Sequence, residues 1–134
     1  MCRKIRQGGR DIGPGDTIKV SIKNPTGRDV VNFIYGADSC YNARIESYKD
    51  KWLPFGWNPC RIPVDGFYEF KGKEEKYFKC NVDLAALYKQ NRVVILTKPS
   101  SKSIGKWHHR TPYILEKYVT STKRKGKTTS IGVD

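Results

Sequence analysis

Apolar and polar residues alternate with period two through much of this chain, and that period predicts strands. Ile18, Val20 and Ile22 alternate with Lys19, Ser21 and Lys23, a half-buried strand that stops at Asn24-Pro25-Thr26-Gly27. A second strand is expected over Val30 to Tyr35. Arg61 to Val64 and Phe67 to Phe70 are β-rich, and Asp65-Gly66 between them is either a tight hairpin turn or a kink inside one long strand. The Lys71-Gly72-Lys73-Glu74-Glu75 cluster predicts a hairpin turn into Tyr77 to Val82, and Leu84 to Tyr88, Arg92 to Thr97 and Tyr113 to Leu115 add short β segments. Asn42 to Trp52 is polar, with Ala43, Ile45 and Tyr48 irregularly spaced, and is expected to form a short helix. The start, with Arg3, Lys4, Arg6 and Arg10, is expected to be flexible and to feed a turn at Gly13-Pro14-Gly15-Asp16. The pattern predicts an α+β, β-dominated fold: a single compact domain on a curved sheet or barrel with short helices. From Thr120 the composition shifts to Ser, Thr, Lys and Arg, so a domain over 1–119 and a disordered basic tail over 120–134 are expected.

Composition changes the picture mainly through charge. The 134 residues are 37% hydrophobic and 12% aromatic, enough for a modest core and too much for wholesale disorder. Lys and Arg number 26 against 13 acids, a net charge of +13 whose field draws polyanions before any specific contact forms. Val93-Val94-Ile95-Leu96 is far too short to span a bilayer, and no apolar stretch follows the basic start. No membrane association is expected, and a cytoplasmic monomer with reduced thiols is. Cys2, Cys40, Cys60 and Cys80 contain no CxxC pair, which leaves a structural zinc site without support, and no metal or cofactor is expected.

Candidate chemistry starts at Cys2. Removal of Met1 would leave an α-amine and a thiol two bonds apart, and the amine, with a pKa near 7.7–8.0 in model peptides, is partly neutral at pH 7. Such a pair condenses with an aldehyde to an imine, and the thiol closes a five-membered thiazolidine. An amino-terminal Cys is also a candidate amidohydrolase nucleophile, and a Cys at position 2 can equally have no role. Further along stand Asn42-Ala43-Arg44-Ile45-Glu46, Asp65-Gly66-Phe67-Tyr68-Glu69-Phe70 and His108-His109-Arg110-Thr111-Pro112. With Met1-Cys2 in front, and Pro14-Gly15 where an Ala-Pro-Gly turn is usual, this order resembles the SRAP family, the SOS-response-associated peptidase-like proteins. The resemblance covers roughly residues 2 to 115. It departs at Arg3-Lys4-Ile5, where the family has Gly-Arg-aromatic, and in the sparse stretch from Tyr35 to Asn42, where relatives carry a Trp-rich loop. A trimmed version of this kind suits a phage-encoded protein.

The resemblance implies a DNA-damage protein that crosslinks to abasic sites in single-stranded DNA. It makes Cys2 the nucleophile, Asn42 the amide that orients the amino terminus and the opened sugar, and Glu69 the proton shuttle. His108 would protonate the sugar ring oxygen, Arg44 would hold a phosphate, and Arg3 or Lys4 would take a second one. Arg110 and Trp52 complete the expected DNA contacts. From the residues alone, Glu69 on a strand is by default a solvent-facing carboxylate, His108 or His109 a surface residue, and Arg44 a solvated side chain. Trp52 and Trp57 could stack on bases or pack on the core. Residues 98–134 hold nine Lys or Arg against two acids, which favours nucleic acid, and the absence of a recognition-helix pattern favours single strands. Two alternatives stand beside crosslinking: a non-enzymatic basic single-strand binder, and a Cys-dependent peptidase or self-processing hydrolase, whose motive is weak where only Met1 precedes Cys2.

Overall fold

The computed structural model of the protein describes residues 3–38, 40–100 and 110–116. Among these residues ten strands form one sheet: β1 (Ile5–Gln7), β2 (Arg10–Ile12), β3 (Thr17–Asn24), β4 (Gly27–Tyr35), β5 (Asn42–Arg44), β6 (Asn58–Lys71), β7 (Glu74–Lys89), β8 (Arg92–Pro99), β9 (Arg110–Pro112) and β10 (Ile114–Leu115). One helix, α1 (Tyr48–Lys51), and a 3-10 turn at Leu53–Phe55 complete the described elements. The strand order β10-β7-β8-β4-β3-β6-β1-β2 closes on itself because β6 also pairs with β7. The resulting ring is continuous along the β6–β7 ladder and thin at two seams. β3 meets β6 at Ser21↔Arg61, and β4 meets β8 in parallel at Ile34↔Arg92 and Tyr35↔Val93. The domain is thus β-dominated on a curved sheet, as the alternation predicts. No helix among the described residues is long and apolar enough to cross a membrane.

Two cores share β7 and β8. Ile18 and Val20 of β3 point inward with Ile5, Tyr35, Ile62 and Phe67, and they meet Leu84, Ala86, Val93 and Ile95 inside the ring. The intervening residues Ala85, Leu87, Val94 and Leu96 face the other way and pack with Ala43 and Tyr48, against which Trp52 and Trp57 also lie. Both faces of these strands are covered, which is why Leu84-Ala85-Ala86-Leu87 and Val93-Val94-Ile95-Leu96 are unbroken apolar runs. Each buried Leu, Val or Ile among them contributes about 1.5–3 kcal/mol relative to exposure. Arg61 and Asp83, both buried, pair across β6 and β7 at 3.1 Å, and Arg61 also donates to the Glu116 carbonyl at 3.0 Å.

Three expectations change and one ambiguity resolves. The basic start is a hairpin, β1–β2, whose turn residues Gly8 and Gly9 have φ of 58° and 77°, the left-handed values a two-residue hairpin turn needs. Asn42 to Trp52 is not one helix. β5 adds in parallel to β8, which buries Ala43, and only Tyr48–Lys51 is helical. Tyr77–Val82 and Leu84–Tyr88 are one strand, since Asp83 continues the ladder opposite Pro63. The Asp65-Gly66 ambiguity resolves as a kink within β6. The tail over 120–134 lies outside the described residues, as do Cys2, His108 and His109.

The kink sets which side chains face the ring interior. Val64 pairs with Val82 and Phe67 with Phe78, so a three-residue step on β6 spans a four-residue step on β7. The extra residue is taken up near Asn81, whose φ of 47° lies in the left-handed region that Asn tolerates. Val64 and Phe67 consequently both join the inner core, and the inward set passes from Cys60, Ile62 and Val64 to Phe67 and, two residues on, Glu69. Gly66 sits at the shift because nothing larger fits: a Cβ there would lie 2.5 Å from the Phe78 carbonyl and from the Tyr77 hydroxyl. We expect Gly66→Ala to destabilise the fold by about 1–3 kcal/mol, the usual cost of overpacking. Urea unfolding would show this as a lower midpoint at unchanged m-value, and an unchanged midpoint would mean that the strand has slack here.

Candidate active site

The end of β6 is covered by the chain's start. Ile5 pairs with Phe67, the Tyr68 amide donates to the Lys4 carbonyl at 3.0 Å, and the Arg3 guanidinium lies 4.2 Å over the Phe70 ring. Residues 3–5 therefore run antiparallel beside Phe67–Phe70, past Glu69. On the opposite face from Glu69, Lys4 stacks over Tyr68 at 4.4 Å and pairs with Glu75 at 3.0 Å. Asp11 accepts from the Tyr68 hydroxyl at 2.7 Å and from Arg6 at 2.9 Å. Those two hydrogen bonds, Arg6's foremost, hold the Asp11 carboxyl below its usual range. A cleft of about 400 Å³ opens here, lined by Arg3, Lys4, Asp11, Pro14, Phe70 and Glu75 among others.

Glu69 itself is fully buried. Neither carboxylate oxygen has a hydrogen-bond partner, and the same holds for the buried hydroxyl of Thr111 on β9. Burial pushes the Glu69 carboxyl up to about 7, against the opposing pull of the amino-terminal positive charge and of the Thr111 hydroxyl. A group in this state exchanges its proton at neutral pH and can serve as acid or base. The default expectation of a solvent-facing carboxylate is therefore corrected by the register shift in β6.

The second motif is joined to the fourth. Arg110, 4% exposed, donates to both oxygens of Glu46 at 2.7 and 2.8 Å and to the Thr97 carbonyl at 2.8 Å. The bidentate bond holds the Glu46 carboxyl at about 2. Arg110, one of the expected DNA contacts, ties β9 to the residues after β5. Asn42 is half-buried with its side-chain amide donating to the Tyr41 carbonyl at 3.0 Å, while Arg44 is exposed and 4.0 Å from Glu46. Trp52 packs edge-on against Trp57 at 5.0 Å, and the aromatic ring that this loop exposes is that of Phe55. The structure brings Arg3, Lys4 and Glu69 to one end of β6 and leaves Arg44 on the surface. Sequence reasoning gave no role to Thr111 or to Glu46. Glu46's partner had no local signal beyond the opposite charges of Glu46 in one motif and Arg110 in another.

No family model matches the chain, and no curated protein does. Among solved structures the fold resembles that of a Bordetella bronchiseptica protein at 18% identity, covering 78% of this chain and 71% of that one, with a TM-score of 0.66. A phage-related protein from the same organism is similar at 17% identity over 86% of this chain and 78% of that one, TM-score 0.63. A Bacteroides thetaiotaomicron protein is similar at 16% identity over 78% of this chain, TM-score 0.58, and the chain spans 61% of its length. At these identities the likeness shows the fold alone.

The two carboxyls predict opposite pH responses. Glu69 binds its proton more tightly folded than unfolded, so its contribution is present below the ordinary carboxylate value near 4.5 and is lost as pH rises to about 7. Glu46 is the reverse: its contribution is present above about 4.5 and is lost as pH falls toward about 2. We expect Glu69→Gln to remove the stability loss between pH 4.5 and 7, and Glu46→Gln to destabilise at pH 7 with a deficit that vanishes in acid. Thermal unfolding across pH checks both, and parallel profiles for all three proteins would refute the assignments.

Proposed function

We propose that the protein captures abasic sites in single-stranded DNA as a thiazolidine on Cys2, as its motif resemblance implies. One observation carries this reading: a core carboxyl poised near neutral pH, Glu69, lies on the strand along which the amino-terminal segment runs. Two peptide steps separate Cys2 from Lys4, at most about 7 Å of reach from the residue whose carbonyl meets Tyr68. In the reaction, the Cys2 amine adds to the aldehyde of the ring-opened sugar, the carbinolamine loses water to an imine, and the thiol sulfur adds to the imine carbon. The thiol proton passes to the nitrogen, so the net change is loss of one water with no redox step. Glu69 takes the amine proton and returns one to the departing hydroxyl. In this reading Asn42 orients the reactants, His108 protonates the ring oxygen during opening, and Arg44 and Arg3 hold phosphates. The non-enzymatic alternative rests on the net charge of +13 alone and gives the buried Glu69 no task.

The test is incubation with an abasic oligonucleotide followed by denaturing electrophoresis and intact mass. Wild-type protein, with Met1 removed, should give a denaturation-resistant adduct that Cys2→Ala abolishes while non-covalent binding stays nearly unchanged. Blocking the α-amine with an uncleaved tag should abolish it equally. Adduct from the Ala variant at the wild-type level would move the chemistry to another nucleophile. Equal yield with a blocked amine would exclude the imine.

His108→Ala should slow single-turnover crosslinking by about 10²–10⁴-fold, the usual range for a lost general acid, and His109→Ala by much less. The reverse order would shift the motif register by one residue.

A further inference from the structure

The seam between β3 and β6 is closed by a side chain. β3 meets β6 at Ser21↔Arg61, and the same antiparallel register continued by two residues on each strand sets Lys19 opposite Pro63. At such a pair each residue donates its N–H to the other's carbonyl, and Pro63 has no N–H to give. Gln7 of β1 fills the gap. Its side-chain oxygen accepts from the Lys19 amide at 2.9 Å, and its side-chain nitrogen donates to the Lys19 carbonyl at 2.9 Å and to the Pro63 carbonyl at 2.8 Å. The carbonyl and both N–H groups of the carboxamide are thus engaged, and the flipped amide would set its oxygen against two carbonyls.

Gln7 thereby joins β1 to β3 and to β6 at one point. The rest of the hold that β6 has on the β1–β2 hairpin is short: Ile5↔Phe67, Arg6↔Gly66, the Tyr68 amide on the Lys4 carbonyl at 3.0 Å and, in the hairpin turn, the Gly9 amide on the Asp65 carboxylate at 2.9 Å. A three-residue strand held by so few bonds is weakly registered, and a slip of one residue would turn every side chain to the opposite face. We propose that Gln7 is the positioning residue of the amino-terminal segment: its carboxamide stands in for the N–H that Pro63 lacks, closes the β3–β6 seam, and fixes the register in which residues 3–5 run past Glu69. Its effect on crosslinking rests on the proposed function, because Cys2 is carried by that segment. The register itself does not.

The experiment is amide hydrogen exchange by ¹⁵N NMR on the full-length protein for wild type, Gln7→Met, and Gln7→Met combined with Pro63→Ala, with single-turnover crosslinking alongside. Gln7→Met keeps the length of the side chain and removes its three hydrogen bonds. The Lys19 and Tyr68 amides should then exchange at least about tenfold faster, as local opening after the loss of several hydrogen bonds implies, while amides bonded across the β7–β8 ladder keep their rates. Adding Pro63→Ala returns an N–H to the seam and should slow exchange at Lys19 again. If Gln7→Met does not fold, Gln7→Glu takes its place, since it keeps the acceptor for the Lys19 amide and loses both donors. Faster exchange throughout the sheet, or at Lys19 without Tyr68, would overturn the proposal. The crosslinking rate constant at saturating DNA should fall by about tenfold or more with the half-saturating concentration unchanged, because the segment is misplaced and no cation is lost. A merely structural loss would lower the yield of adduct at an unchanged rate constant, and that result too would overturn the proposal. Absence of any adduct in wild type, together with the expected exchange rates, would overturn the proposed function and leave the Gln7 assignment standing.

Discussion

Burying one carboxyl inside a strand ring is the constraint around which the rest of this structure is arranged. An isolated carboxylate in apolar surroundings costs far more than a domain of this size can absorb, and the ordinary escape is to hold the proton. Glu69 takes that escape only as far as neutral pH, because the amino-terminal charge and the Thr111 hydroxyl pull against burial. The β6–β7 ladder supplies the rigidity that keeps it there. It runs from Asn58↔Tyr88 to Lys71↔Glu74, and its one register shift turns Glu69 inward. A carboxyl held in this environment costs stability. Such costs concentrate where chemistry is done.

The clamp between Glu46 and Arg110 joins segments that lie far apart in sequence. These two residues are 64 positions apart, yet their bidentate bond brings the segment after β5 against β9. β8 stands between as the common partner, pairing with β5 through Ile95–Thr97 and with β9 through Thr97–Pro99. Thr97 belongs to both ladders and also accepts from Arg110 through its carbonyl and its hydroxyl. Arg110 is therefore a strut between these strands.

How much of this could be seen in the sequence depends on whether the signal was local. The alternation of Ile18, Val20 and Ile22 was sufficient for β3 because one face of that strand is buried and the other is wet. The two apolar runs in β7 and β8 were legible as strands, but their two-sided burial needed the second core to exist. Asn42 to Trp52 misled because β5 is a short strand added in parallel, held by a distant partner and carrying no alternation of its own over three residues. Gly66 announced a break without saying which kind, since both a hairpin turn and a register shift use glycine at a point of close approach. The burial of Glu69 was invisible to alternation alone: its parity is set by the mismatch near Asn81 on the neighbouring strand.

The same reasoning redistributes the positive charge. A net charge of +13 suggests a surface covered in solvated cations, yet several of them are spent within the fold. Arg3 lies on Phe70, Lys4 on Tyr68, Arg6 near Tyr77 and Lys98 near Tyr113, and Arg61 and Arg110 are buried in ion pairs. Cations stacked on rings keep their charge and part of their hydration, so they still add to the long-range field that gathers polyanions. What they lose is freedom, and a phosphate meeting Arg3 meets a guanidinium already oriented by Phe70 at the mouth of the cleft. Preorientation of this kind lowers the entropy spent on binding. It also sets the cationic edge of the cleft beside the strand that carries Glu69.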